Sequence, residues 1–180
     1  MNISIKPLSA SRLINPGEVI LISCAYKGRR NITTCAWHMP ISKEPPILAV
    51  ALAKKHFSTE LIIKSKEFVI NILDWSMLDK VMFCGSASGR DVDKFKKLDL
   101  KEKPASFLKE TVKIKEAIAN IECKVFYKKS IGDHFLILGE VVFAEADVRF
   151  FKDFWDTKKI DLIFHLGSNL FFKSSPYIEK

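Results

Sequence analysis

The chain has 180 residues, of which 48 % are hydrophobic and 28 % charged, with a formal charge of +8 at pH 7. This length fits one domain over residues 1–180 with a real core, and the balance excludes a disordered chain. No apolar run is as long as a membrane span and residues 1–16 lack a signal-like apolar stretch, so a cytoplasmic protein without membrane contact is expected.

In chain order, Val19–Ser23 is a short apolar run that suits a buried strand, and Asn31–Ala36 reads as its returning partner after a Lys27–Gly28–Arg29–Arg30 turn. Pro40 and Pro45–Pro46 bracket a loop before a third strand over Ile47–Leu52. Lys54–Lys55–His56 is a basic turn, after which Ser58 or Thr59 caps a short helix through Leu61, Ile62 and Lys64. Glu67–Leu73 is a fourth strand. Ser76 and Asp79 have capping-box spacing for a helix running into a Ser/Gly loop. Residues 96–112 read as a charged surface excursion with a short helix near Phe107–Leu108. From Ala119 to Tyr127 the alternation is clean, with Asn120, Glu122 and Lys124 on the solvent side of a half-buried strand. Gly132–Asp133 turns into a long last strand, His134–Ala146, with Gly139 a candidate bulge.

About six strands with short turns and a few short helices predict a mainly β, α+β protein: a closed or nearly closed antiparallel barrel. No GxGxxG or P-loop occurs, so a bound nucleotide would use another cradle. The four cysteines (Cys24, Cys35, Cys84, Cys123) have no metal-ligand spacing and read as buried thiols; no metal is expected. The lysines are interspersed with acids, as in Lys64–Ser65–Lys66–Glu67, and the polar face of 119–127 carries both signs, so nucleic acid is not the expected partner. The aromatic tail, Phe150–Phe151 through Phe171–Phe172, calls for cover by the barrel or a second subunit.

The stretch Cys84–Phe95, Cys-Gly-Ser-Ala-Ser-Gly-Arg-Asp-Val-Asp-Lys-Phe, concentrates the candidate chemistry. Gly85 and Gly89 permit close backbone approach, Ser86 and Ser88 add donors, and Arg90 and Lys94 add positive charge. It reads equally as an anion-holding loop or as a Ser/Gly turn with Asp91 or Asp93 at a helix start.

Four passages in order give the chain its resemblance. They are Asn15–Pro16 with Asn31-Ile-Thr-Thr-Cys-Ala-Trp37, Pro40-Ile-Ser42 and Pro45–Pro46; His56-Phe-Ser-Thr59 with Glu67–Asn71; the Gly85–Phe95 loop; and Gly132-Asp-His134 with His165-Leu-Gly167. Over roughly residues 13–172 the chain resembles the flavin reductase-like family, the FMN-binding split barrels that include flavoredoxin. The resemblance implies a six-stranded antiparallel split barrel and a homodimer holding FMN at the subunit interface. It implies an NAD(P)H:flavin oxidoreductase or, alternatively, a flavoredoxin-like carrier serving redox proteins. No side chain is expected to be catalytic, because the flavin carries the chemistry. Cofactor contacts are expected from Asn31, Thr33, Thr34, Trp37, Lys54, His56, Ser58, Thr59, Ser88, Arg90, Lys94, His134, His165 and Phe171. For Trp37 and His165 a core position is the competing reading, and for His134 a solvated turn. The chain departs from the family after His165-Leu-Gly167, where Ser168-Asn-Leu-Phe171 replaces the usual Gly-Gly, and at Lys55–His56, where arginine or serine is common.

Overall fold

The computed structural model of the chain describes residues 6–14 and 17–178; Asn15–Pro16, part of the first expected motif, lies outside the described residues. A short β1 (Gly17–Glu18) precedes the hairpin of β2 (Ile20–Tyr26) and β3 (Arg29–Cys35). The turn is only Lys27–Gly28, both with positive φ (50° and 77°), the two-residue geometry whose twist matches that of the strands. Then β4 (His38–Ser42) pairs with β5 (Ile47–Ala53), where a loop was expected. Pro40 is tolerated because β4 is terminal in its sheet, where a missing N–H costs nothing. The helix α1 (Phe57–Ser65) and strand β6 (Glu67–Ile72) follow, then α2 (Leu78–Ser86), α3 (Lys94–Lys97), β7 (Glu102–Pro104), β8 (Val112–Ile114), β9 (Ala119–Ile131), β10 (His134–Ala146), β11 (Ile163–Gly167) and β12 (Leu170–Lys173).

The main sheet runs β3-β2-β6-β9-β10-β5-β4, all antiparallel. Its two edge strands, β3 and β4, are one run of chain bent at Ala36–Trp37, and Ala51 N–H donates to Trp37 O at 2.9 Å. The bend joins the edges, so the seven ladder strands make a barrel of six, the split barrel expected from the sequence. Ile20, Ile22, Val50, Leu52, Phe68, Ile70 and Ile137 fill it, with Phe57, Leu61 and Ile62 of α1 packed into the same core. A second core lies outside it, where Leu21, Ile32 and Leu73 meet Val81, Cys84, Phe95, Ile114 and Ile163. Because β2 is buried on both faces, Val19–Ile22 is a continuous apolar run rather than an alternating one.

Gly139 sits at a bulge between β9 and β10 and faces Phe68; a Cβ there would stand 2.5 Å from Phe68 Cζ. Three local expectations are corrected. Ser58 and Thr59 do not cap α1: His56 is its N-cap without a side-chain bond, and Thr59 Oγ1 donates instead to Ala53 O at 2.8 Å. Asp74 rather than Ser76 closes the turn before α2, accepting from Ser76 N–H at 2.7 Å. No helix forms at Phe107–Leu108; Ser106 and Phe107 donate their N–H groups to the Glu122 carboxylate at 2.6 and 2.8 Å. On the polar side of β9, Asn120 and Glu122 are therefore not solvated but buried beneath the 99–117 excursion, while Lys124 is exposed as expected.

Candidate functional site

The bend at Ala36–Trp37 opens a cleft of about 830 Å³ between the barrel and the outer core. Its floor is small and apolar: Cys35, Ala36, Ala51 and Ala53. Asp79, Met82, Phe83 and Ser86 line one wall, and their spacing (i, i+3, i+4, i+7) puts them on one face of α2. The turn from β11 to β12 contributes His165, Ser168, Asn169 and Phe171 to the lining. Trp37 and His134 complete it as a ring pair, centroids 5.0 Å apart and planes at 33°.

Of the fourteen expected contacts, six line this cleft: Thr34, Trp37, His56, His134, His165 and Phe171. Thr34 Oγ1 donates to Val81 O, which ties β3 to α2. His134 Nδ1 pairs with the Asp133 carboxylate at 2.7 Å, and His165 bonds Ser168 O at 2.9 Å while its ring lies tilted against Phe171. Trp37 is 46 % exposed, so it is a wall and not core. Among the described residues, His56 Nδ1 is buried without a hydrogen-bond partner. Burial, then the positive charges of Lys55, His134 and Lys94, hold the His56 imidazole below its ordinary pKa.

The other expected residues stand outside the lining, in the frame around it. Asn31, Thr33, Ser58 and Thr59 are buried, and Asn31 Nδ2 donates to Ser58 Oγ at 2.9 Å. Lys94, at 3 % exposure, gives its ammonium to Ile32 O and Cys84 O at 2.7 and 2.6 Å. Arg90 bonds Lys55 O and Glu60 Oε2, both at 3.1 Å, while Ser88 Oγ accepts from Arg90 N–H at 3.2 Å. Lys54 Nζ bonds Gly132 O, which ties the basic turn to the β9–β10 hairpin. Asp93 accepts from Lys96 N–H as the N-cap of α3, the helix-start reading of that loop. The thiols are inert: burial pushes Cys84 up to about 11 and Cys24, Cys35 and Cys123 to about 12.

Sequence reasoning missed Asp79, Met82 and Phe83 and read Ser86 as a loop donor and not as part of the helix face, although the helical spacing carried the signal. The loop geometry makes one expectation sharp. A Cβ on Gly89 would lie 2.1 Å from Asn31 Oδ1, and the Asn31 amide is held by Ser58. Gly89→Ala is therefore expected to cost about 1–3 kcal/mol, read as a lower midpoint in thermal unfolding. An unchanged midpoint would mean that the loop does not rest on Asn31.

Comparison with known proteins accords with this architecture. The family model of the flavin reductase like domain matches residues 11–154. The uncharacterized protein YddH of Escherichia coli (strain K12) is 33% identical over 171 residues, covering 92% of this chain and 90% of that protein. The crystal structure of flavoredoxin from Methanosarcina acetivorans superposes with a TM-score of 0.88 at 26% identity, over 100% of this chain and 95% of that one. That of an FMN-binding protein from Thermus thermophilus gives 0.87 at 21% identity, over 100% and 98%, a likeness of fold. With a family model spanning most of its length and a relative matched nearly end to end, the chain belongs to the flavin reductase-like family.

Proposed function

We propose that the chain is one FMN-binding domain that works as an NAD(P)H:flavin oxidoreductase. The observation that carries this is the shape and chemistry of the cleft: a floor of alanines beneath an aromatic wall, with an uncapped helix N-terminus beside it. A planar ring needs the first, and a phosphate the second. Trp37 and His134 would flank the ring, and His165 with Phe171 would close its far side. Thr34, Ser86 and Ser168 offer hydroxyls to a polyol chain. The unpartnered His56 Nδ1 and the first N–H groups of α1 suit a phosphate, with Lys54, Lys55 and Arg90 nearby. Asn31, Thr33, Ser58, Thr59, Ser88 and Lys94 would act by holding these groups in place. When bound, the flavin supplies the hydride acceptor; the chain supplies orientation and excludes water.

A second copy is the proposed cover for the sheet face beside the cleft. The register places Met39, Ala49, Leu138 and Tyr127 in one row across β4, β5, β10 and β9, and Ala51, Leu136 and Lys129 in the next. Met39, Tyr127 and Ile131 are each about half exposed, an apolar face of the kind that homodimers bury. The carrier reading has its own support: exposed Lys128 lies on the face of β9 opposite Tyr127 and Ile131, a basic point on the rim for an acidic redox protein.

The test is a visible spectrum after loading with FMN and desalting, followed by anaerobic addition of NADH or NADPH. Retained flavin bands that bleach with either donor are the expected result. Retained bands that neither donor bleaches favour the carrier reading, and a colourless protein overturns FMN as cofactor. Light scattering on the loaded sample should give the mass of two chains.

A further inference from the structure

Strands β9 and β10 pair along their whole length, whereas β6 covers only the first half of the other edge of β9. Lys66, in the left-handed conformation (φ 60°), ends α1 and passes the chain to β6 at Glu67, opposite Lys124. One further bond, from Val125 N–H to Lys66 O at 2.9 Å, completes that ladder. A bulge in β9 follows at once, opposite the step from Leu138 to Gly139. From Phe126 to Ile131 no strand among the described residues flanks this edge, and all six residues are exposed. The overhang is about 20 Å long and leaves backbone donors and acceptors open in the plane of the sheet. Beyond the bulge the faces alternate. Tyr127, Lys129 and Ile131 stand on one, Lys128 and Ser130 on the other, with Lys128 Nζ 5.7 Å from the centre of the Phe135 ring. No ion pair among the described residues engages either lysine.

We propose that this edge is a docking site for an acidic, extended segment of another protein, which adds to the sheet as a strand. Backbone hydrogen bonds hold such a segment, and its alternate side chains are read on the two faces. A lysine on each face selects a carboxylate there, while Tyr127 and Ile131 favour β-branched neighbours. The same lysines bar a second copy from the edge. Twofold antiparallel pairing centred on the overhang sets Lys128 against Lys129, or one of them against itself, and like charges directly opposite repel. A second copy on the outer face would cover the side chains of Tyr127 and Ile131 and leave the edge open, because the edge bonds lie in the plane of the sheet. The docking site goes beyond the flavin reading and does not depend on it.

The probe is the peptide acetyl-Thr-Val-Thr-Glu-Glu-Val-Thr-amide, set against one with lysine at both glutamate positions and one with proline at both valine positions. Amide exchange of the full chain is read residue by residue by NMR. With the acidic peptide at about ten times its Kd, the outward amides of the overhang are expected to exchange about tenfold more slowly, with the barrel strands unchanged. High salt should weaken the effect, and the lysine and proline peptides should not produce it. In the double variant Lys128→Glu with Lys129→Glu, the acidic and lysine peptides should exchange roles. Equal protection by the proline peptide would mean charge attraction without an added strand. No protection by the acidic peptide at millimolar concentration would mean that no acidic strand docks here, and protection that grows with protein concentration alone would mean that a second copy takes the edge. Each of these three results overturns the inference, and none of them bears on the flavin.

Discussion

Replacing Lys94 with alanine is expected to lower the thermal midpoint by about 5–15 °C and to release flavin as a consequence. The Lys94 ammonium is 3 % exposed and joins two carbonyls, Ile32 O on β3 and Cys84 O near the end of α2. Its removal leaves both acceptors buried without a donor, at about 1–3 kcal/mol each. Each kcal/mol moves the midpoint by about 2–4 °C in a domain of this size. The Cys84 carbonyl lies at the negative end of the α2 dipole, which adds to the loss. Arg90 is the contrasting case. Its guanidinium is half exposed and paired with Glu60, so Arg90→Ala should change stability by less than about 1 kcal/mol. Its effect should appear in flavin affinity, through the phosphate. Melting curves of the flavin-free proteins, read beside FMN titrations, separate the two roles. A Lys94→Ala protein that melts like wild type yet binds no flavin would show that the ammonium serves the ligand and not the frame.

Lys94 also marks where sequence reading stops. A lysine after a Ser-Gly-Arg turn looks like charge offered to an anion, and only the fold reveals that two carbonyls receive it. The barrel strands were legible because their apolar pattern is set locally: β2 as a run buried on both faces, β10 as a long strand after a Gly–Asp turn. Trp37 and His134 were expected at the cofactor only through the family resemblance, because a strand end reads more readily as core and a turn as solvated; both line the cleft. The strand β4 was not, because Pro40 reads as a breaker until the position at the sheet edge is known. Asn31 and Ser58 looked like ligand contacts because both are polar residues in motifs, whereas their hydrogen bond is to each other. Asp79 looked like part of a capping box, and the cleft it faces exists only once α2 has packed against β3. Polar residues show their chemistry in the sequence and not their partner.

The same limit hid the segment 99–117, whose attachment carries the second large expected effect. Glu122 on β9 is fully buried and accepts from Ser106 N–H, Phe107 N–H and Lys113 Nζ, the last at 3.2 Å. Lys113 is 1 % exposed and also reaches Glu145 at 3.1 Å. One strand over, Glu67 accepts from Lys109 and Glu110 N–H groups, so two carboxylates on neighbouring strands fasten one excursion. Glu122→Ala removes the central acceptor and leaves a buried ammonium with Glu145 as its remaining acid, at about 3–5 kcal/mol. The double variant Glu122→Met with Lys113→Met removes both charges and should recover about 2 kcal/mol or more of that loss. The pH dependence follows in sign. Burial alone would raise the Glu122 carboxyl, but the two N–H groups and Lys113 outweigh it and hold the group below its ordinary value. Glu145 is lowered likewise, against burial, by Lys103 and Lys113. A lowered carboxyl means that the unfolded chain binds the proton more readily, so this stability is present above the unfolded value, about 4.3. It drains as pH falls through the folded values. Hydrogen exchange at Ser106–Lys113 should therefore quicken in acid before exchange in the barrel strands does. Equal damage in the single and double variants, or uniform loss of protection in acid, would mean that the ion pair does not fasten the segment.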